Sequence, residues 1–448
     1  MGKSRRIIAT LLCAILLVGL MAACGGKQDE TNNSATSGNK DTNAPKENVT
    51  ISLLTDNTQE QVSAAKAVIE AFQAKYSYIT VEHETRPGGS EGDNLVKTRI
   101  ATGDLNDIIY YNSGSLLQSL DPENNFVDLT NEPFMANVME SYKPTVTING
   151  KVYGVPAGST MAGGWFYNKK VYADLGLSVP KTWAELMANN EKIKEAGITP
   201  VIGSYKDSWT AQLIVLADYY NVQKQDPAFA ENYTANKAKY ANTPAALRSF
   251  EKLYEVNEKG FMNKDFQATT YDAGLKMLAE GKGAHYPMLS FAVPALEQNF
   301  PDKMNDIGFF AQPGDSAEAN GLTIWMPAGA YAYKNSKHVE EAKLFLEFIT
   351  SAEGVTAWMT AAKPVGPWPV NGIDVPADVA QVVKDMLPYF ESDETTAPAL
   401  EFVSPIKGPN LPQITTAVGS NILSAQKGAE DYDNDVKKQA QQLGLEGW

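Results

Sequence analysis

Histidine, cysteine and arginine are nearly missing from this chain, and each shortage excludes a class of function. The three histidines, His83, His285 and His338, stand far apart in 448 residues. They never fall at metal-ligand spacing, so no metal site is expected, and nothing calls for a cofactor. Of the two cysteines, Cys13 lies inside an apolar leader and Cys24 directly follows it. A chain without a second thiol forms no internal disulfide and depends on core burial. Beyond the first six residues only Arg86, Arg99 and Arg248 occur. The guanidinium forks that grip phosphate or carboxylate are thus hard to assemble, which favours a neutral ligand. Neither a serine-nucleophile elbow nor a phosphate-cradling loop is read from the chain. Asp431-x-Asp433-x-Asp435 imitates a calcium loop, but Val436 replaces the turn glycine and Gln442 the closing glutamate. It reads instead as the solvated acidic start of a helix. Carboxylate pairs suited to glycoside cleavage are unavoidable among 53 acidic residues, and none is singled out. No catalytic residue is assigned, and an enzyme is not expected.

What the chain does have begins at its amino terminus. Lys3, Arg5 and Arg6 precede an uncharged run over residues 7–21, and Ala22-Ala23-Cys24-Gly25-Gly26 supplies small residues for cleavage. That is the layout of a secretory leader. A spanning helix needs ~20 apolar residues, so this run is too short to remain in a bilayer. The Met21-Ala22-Ala23-Cys24 junction resembles a bacterial lipobox. It implies that Cys24 becomes the first mature residue and carries diacylglycerol; the alternative is a soluble secreted protein cut after Ala23. The expected location is the extracellular face of the cytoplasmic membrane of a Gram-positive cell. The formal charge is −15, which argues against nucleic acid or an anionic membrane surface as a partner.

Residues 24–48 are Gly, Ser, Thr, Asn, Asp and Lys with almost nothing apolar, the composition of a flexible tether. Order is expected from residue 49. A strand at 49–54 leads to Thr58-x-x-Gln61, a capping-box spacing, and to a helix with Val62, Ala65, Val68, Ile69, Phe72 and Tyr76 on one face. A strand at 79–84, a turn at Gly88-Gly89, a helix near 94–102 and a buried strand at 107–111 follow. Strands alternating with helices imply parallel β/α units. Further on, Thr182-x-x-Glu185 is a second capping box, residues 198–202 form a short strand, and Thr243-Pro244 opens a helix closed by Gly260. Ser336 is expected to cap one late helix, Thr350-x-x-Glu353 to open the next, and a polar helix to start near residue 429. A chain this long exceeds the ~250–300 residues at which one core stops growing, so two lobes are expected.

Several segments in order then become specific. They are Gly150-Lys151-Val152-Tyr153-Gly154-Val155-Pro156, Tyr167-Asn168-Lys169-Lys170-Val171, Leu175-Gly176-Leu177 and Pro180-Lys181-Thr182-Trp183-Ala184-Glu185-Leu186. Ala196-Gly197-Ile198-Thr199-Pro200, Met277-Leu278-Ala279-Glu280-Gly281-Lys282-Gly283-Ala284 and Glu340-Glu341-Ala342-Lys343 with the following Phe345–Glu353 stretch complete the set. Together the chain over residues 49–445 resembles the extracellular solute-binding proteins of bacterial ABC importers, family 1, which bind sugars. The resemblance implies an α/β fold of the type II periplasmic-binding-protein kind, two lobes closing by hinge bending. Residues 49–155 and 308–350 are assigned to one lobe, 156–307 and 351–448 to the other. It also implies a carbohydrate ligand, an ABC permease driven by an intracellular ATPase as partner, and a monomer; the alternatives are a binding protein of the same fold for a non-sugar solute or, less favoured, a tethered polysaccharide-degrading enzyme.

A sugar presents hydroxyls at its rim and apolar C–H faces, so its site needs flat aromatics and paired hydrogen-bonding groups. Asp56 and Asn57 end the first strand, where they meet ligand or cap the next helix. Tyr111 and Asn112 end the third in a similar position. Trp209 lies in a polar loop after a second-lobe strand and suits stacking. Where the family often carries a stacking Trp after the strand containing Ala284, this chain has Phe291. Trp325 and Trp368 complete the candidates; Trp183 and Trp358 read as core.

Overall fold

The computed structural model describes residues 47–392 and 394–448; the leader, Cys24 and the tether through residue 46 lie outside them. The described chain is α/β, with two principal sheets flanked by helices. The first sheet is built from β1 (Val49–Asp56), β2 (Ile79–Arg86), β3 (Ile108–Tyr111), β6 (Gly154–Pro156) and β12 (Gly329–Ala332), in the order β2-β1-β3-β12-β6. The strands β1, β2 and β3 are parallel, as β/α alternation requires, whereas β12 runs antiparallel to both neighbours. Helix Gln59–Lys75 turns Ala64, Ala65, Val68, Ile69 and Phe72 inward. The Phe72 ring meets Phe345 and Phe348 at 5.0 and 5.5 Å. Each such ring stabilises the lobe by roughly 1.5–3 kcal/mol through burial alone. A small hairpin, β4 (Thr147–Ile148) with β5 (Lys151–Val152), precedes β6.

The second sheet contains β7 (Met161–Asn168), β8 (Thr199–Val201), β9 (Gly283–Leu289), β11 (Leu322–Trp325) and β13 (Thr396–Pro398), ordered β13-β11-β7-β9-β8. A sixth strand, β10 (Ile307–Ala311), also pairs with β7. Trp165, Trp183 and Phe310 anchor the core beside it. The Thr182–Glu185 capping box forms in full at the head of helix Trp183–Glu195. Lys252 and Asp218 make an ion pair at 2.6 Å with each side chain 1% exposed.

The chain crosses between the sheets three times: at 157–160, at 326–328, and after helix Ala352–Ala361. These crossings are tied together. Ala157 N–H donates to Ala328 O, Thr160 N–H to Pro367 O, and Val365 N–H to Ser159 Oγ. The expected lobe boundary is corrected accordingly. β10 and β11, assigned to the first lobe, pair within the second sheet, and the crossing back comes only at 326–328. Helix Ala352–Ala361, assigned to the second lobe, packs on helix Gln59–Lys75 of the first.

Other local expectations shift for identifiable reasons. Ser351, not Thr350, caps the helix it precedes. Ser336 donates to Asp107 and accepts from His338 N–H instead of capping directly. The helix placed near residues 94–102 starts at Gly89. The late polar helix runs Ala425–Gln442, and two of its acids are not solvated. Asp433 accepts from the backbone N–H groups of Tyr240 and Ala241, and Asp435 from Asn410 N and Nδ2. The acidic run therefore pins neighbouring loops, and Asp433, through burial, is held above the ordinary carboxylate range.

Candidate functional site

The carboxyl end of β1, the turn after β3, the crossings and the second lobe enclose a cavity of about 330 Å³. Such volumes fall within the range of small-molecule sites. On the first-lobe wall, Asp56 Oδ1 accepts from Thr58 N and Oγ1 at 3.0 and 2.6 Å. Thr58 in turn caps the helix that carries Glu60. Asp56 therefore serves both readings: it orders the turn and lines the cavity. Glu60 is half-buried beside it, and burial, reinforced by the Asp56 charge, pushes its carboxyl up to about 7. Asn112 lines the same wall with an exposed side chain, while Ser113 beside it is fixed by a bond to Pro327 O.

The crossings form the floor through Ala157, Gly158, Ser159, Met326 and Pro327. Trp368 borders it and packs edge-on against Trp358 at 5.4 Å; its Nε1–H is buried with no protein acceptor. Trp358 also touches the cavity, although its stacking on Tyr110 at 5.9 Å makes it largely a core residue as expected. Across the cleft stand Phe291, Trp325, Glu401, Phe402 and Lys407. Both lysines of the lining have carboxylate partners within the protein: Lys363 pairs with Asp378 at 3.1 Å, and Lys407 with Glu401. No arginine is among the lining residues.

Five candidates thus meet in one cavity: Asp56, Asn112, Phe291, Trp325 and Trp368. Three do not border it. Asn57 points to solvent beside it. Tyr111 is inside the first-lobe core, with the Arg86 guanidinium 5.3 Å from its ring centroid. Strand β3 is buried on both faces along its whole length, and the chain reaches the cavity only at Asn112, one residue past its end. Trp209 lies one layer behind the cleft, packed on Tyr271 and Phe291 at 5.3 and 5.8 Å. It backs Phe291, an aromatic of the cavity lining. Glu60, Gln61, Lys363, Glu401 and Lys407 escaped the sequence reading. Only Glu60 and Gln61 carried a usable signal, being the first turn of a helix that follows a strand end.

The spacing of a serine elbow is met once after all, at Gly88-Gly89-Ser90-Glu91-Gly92, which caps and opens helix Gly89–Thr102 after β2. Its glycines have conformational reasons. Gly89 has φ +68°, and a Cβ on Gly92 would lie 1.8 Å from Pro87 O. The histidines are engaged elsewhere: His83 Nε2 bonds Thr55 Oγ1, and His285 is buried between Tyr172 Oη and Pro200 O. His338 begins helix Val339–Ile349. Among the described residues no group of histidines, cysteines and acids could hold a metal ion, and no helix is long and apolar enough to cross a membrane.

Two lobes joined by three crossings, with a polar and aromatic cavity between them, define a binding protein that encloses its ligand from both sides. The chain belongs to the bacterial extracellular solute-binding protein family, whose model matches residues 55–356. It is 28% identical over 309 residues to the multiple sugar-binding protein of Streptococcus mutans, covering 66% of this chain and 70% of that protein. It is 22% identical over 335 residues to the sn-glycerol-3-phosphate-binding periplasmic protein of Yersinia pseudotuberculosis, covering 70% and 71%. Its fold is similar to that of the solute-binding protein RafE in complex with raffinose, with a TM-score of 0.70 at 22% identity over 88% of this chain and 99% of that one, and to that of the apo form of RafE from Streptococcus pneumoniae, with a TM-score of 0.72 at the same identity and coverage.

Proposed function

We propose that this protein captures a neutral oligosaccharide in the interlobe cleft and delivers it to an ABC permease, without catalysing a reaction. It acts as a monomer held by lipid at Cys24 on the outer face of the cytoplasmic membrane. Asp56 and Asn112 bind sugar hydroxyls, while Trp325 and Phe291 receive the C–H faces; Trp368 supports the floor from behind. The observation that carries this reading is the charge pattern of the cavity. Aromatic faces stand opposite an acidic wall, and each cation in the lining already has a carboxylate partner. A phosphate ester would meet the Asp56 carboxylate with no arginine in the lining to grip it, which disfavours a glycerol-phosphate ligand. The cleft continues outward into a second cavity of about 770 Å³ that shares Thr58, Glu60, Phe291 and Lys363 with the first. That continuity favours an oligosaccharide over a single ring.

Calorimetric titration against raffinose, stachyose, chitin oligosaccharides, free monosaccharides and sn-glycerol 3-phosphate tests the proposal. Saturable binding of at least one oligosaccharide, tighter than its component monosaccharides, is expected. Binding of the phosphate ester alone would overturn it.

A further inference from the structure

The indole of Trp325 is held at two ends. A Cβ on Gly163 would lie 2.3 Å from Trp325 Cζ3, so the six-membered half of the ring rests where β7 has no side chain. At the other end, Nε1–H donates to Glu401 Oε1 at 2.8 Å. The second oxygen of Glu401 accepts from Lys407 Nζ, and the carboxylate is only 18% exposed. An Nε1–H bond to a charged, oriented acceptor fixes the plane of the ring, because an indole has one donor and no other polar handle.

Glu401 is also placed where the lobes meet. It lies on the short helix Leu400–Val403, whose preceding residue Ala399 donates its N–H to Ile324 O of β11. The opposite face of this helix abuts Gly114 of the first lobe. A Cβ on Gly114 would lie 2.6 Å from Glu401 O and 2.8 Å from Phe402 Cδ1. One residue therefore touches the first lobe with its backbone and holds the second lobe's aromatic face with its side chain.

We propose that Glu401 is a positioning residue that sets the plane of Trp325 for the ligand and links that plane to the contact between the lobes. The proposal rests on the sugar-binding reading for its ligand but not for its geometry, and the test separates the two. Raffinose affinity and the near-ultraviolet circular dichroism of the ligand-free protein are measured for wild type, Glu401→Ala, Glu401→Gln, Trp325→Ala and the Glu401→Ala/Trp325→Ala pair. Alanine is expected to weaken raffinose binding about tenfold and to remove the indole band that Trp325→Ala also removes, since one charge-assisted bond is lost. Glutamine is expected to keep the band and stay within about threefold, because its amide oxygen still accepts from the indole. In the double variant the Glu401 change adds no further loss. An unchanged band in Glu401→Ala, or penalties that multiply in the double variant, would overturn the proposal. Should the wild type bind neither raffinose nor any other sugar of the panel, the sugar-binding reading falls, and the dichroism of the ligand-free variants still decides the positioning role.

Discussion

Trp325 and Trp183 are both nearly buried, yet they answer to different physics. Trp183 sits in the second-lobe core against Trp165, its Nε1 bonded to Glu255. Trp183→Ala should therefore cost ~3–5 kcal/mol of stability with little change in affinity for the molecules that stay folded. Trp325→Ala should weaken sugar binding by roughly 2 kcal/mol or more with a smaller stability loss. Titration paired with urea melts distinguishes them, and matching signatures in the two variants would refute the site map. Glu60 gives a second test at this scale. Its carboxyl lies near 7 in the folded protein against 4.5 when unperturbed. The native state therefore holds the proton more tightly, and its stability falls as pH rises from about 4.5 through about 7. Asp56 reinforces this, while Glu297 and Lys363 face the outer cavity beside it. Relative to wild type, Glu60→Gln should gain stability steadily across that window and level off above it; parallel urea midpoints from pH 4.5 to 8 would contradict the assignment. At this scale the sequence was half legible. Residue type picked out the cavity-lining Asp56 and Trp325, but a strand buried on both faces takes Tyr111 into the core, and Trp209 is recognisable as a support only once Phe291 is placed before it.

Elements were more readable than residues because their signals are local. The parallel β/α start, the Thr182–Glu185 box and the amphipathic helix at Gln59–Lys75 follow from patterns a few residues long. Strand membership in one sheet or the other depends on which way the chain turns after each crossing, and no local pattern records that. Hence β10 and β11 were assigned to the wrong lobe. The helix Leu400–Val403 was missed for a related reason: four residues carry too little periodicity to register, and its place is set by β11 and Gly114. The Gly114 contact is itself open to test. Gly114 has φ +71°, and a side chain there would press on the backbone of Glu401. Gly114→Ala should therefore hold the lobes apart and weaken ligand binding, with only a modest shift in thermal midpoint. Affinity equal to wild type would mean that this contact is not needed for closure.

For the whole molecule, two lobes flanking a polar cleft predict a change in shape. Saturating oligosaccharide should lower the radius of gyration in small-angle scattering while far-ultraviolet dichroism stays constant; no compaction at proven saturation would favour a preformed pocket. The anchor makes a separate prediction. Cys24→Ser should block lipidation and release the protein into the medium, and retention in the membrane fraction at unchanged mass would exclude the lipoprotein reading. The threefold crossing has a consequence of another kind, for the order of events during synthesis. The first sheet needs β12 to join β3 to β6, and β12 appears only after nearly all of the second sheet has been made. Neither lobe is a contiguous stretch of chain, so an emerging polypeptide cannot finish one before starting the other. Until residues 329–332 arrive, the inner edge of β3 offers open backbone groups to any passing strand. Such a chain is best kept unfolded until it is complete, which suits a protein threaded across a membrane before it folds.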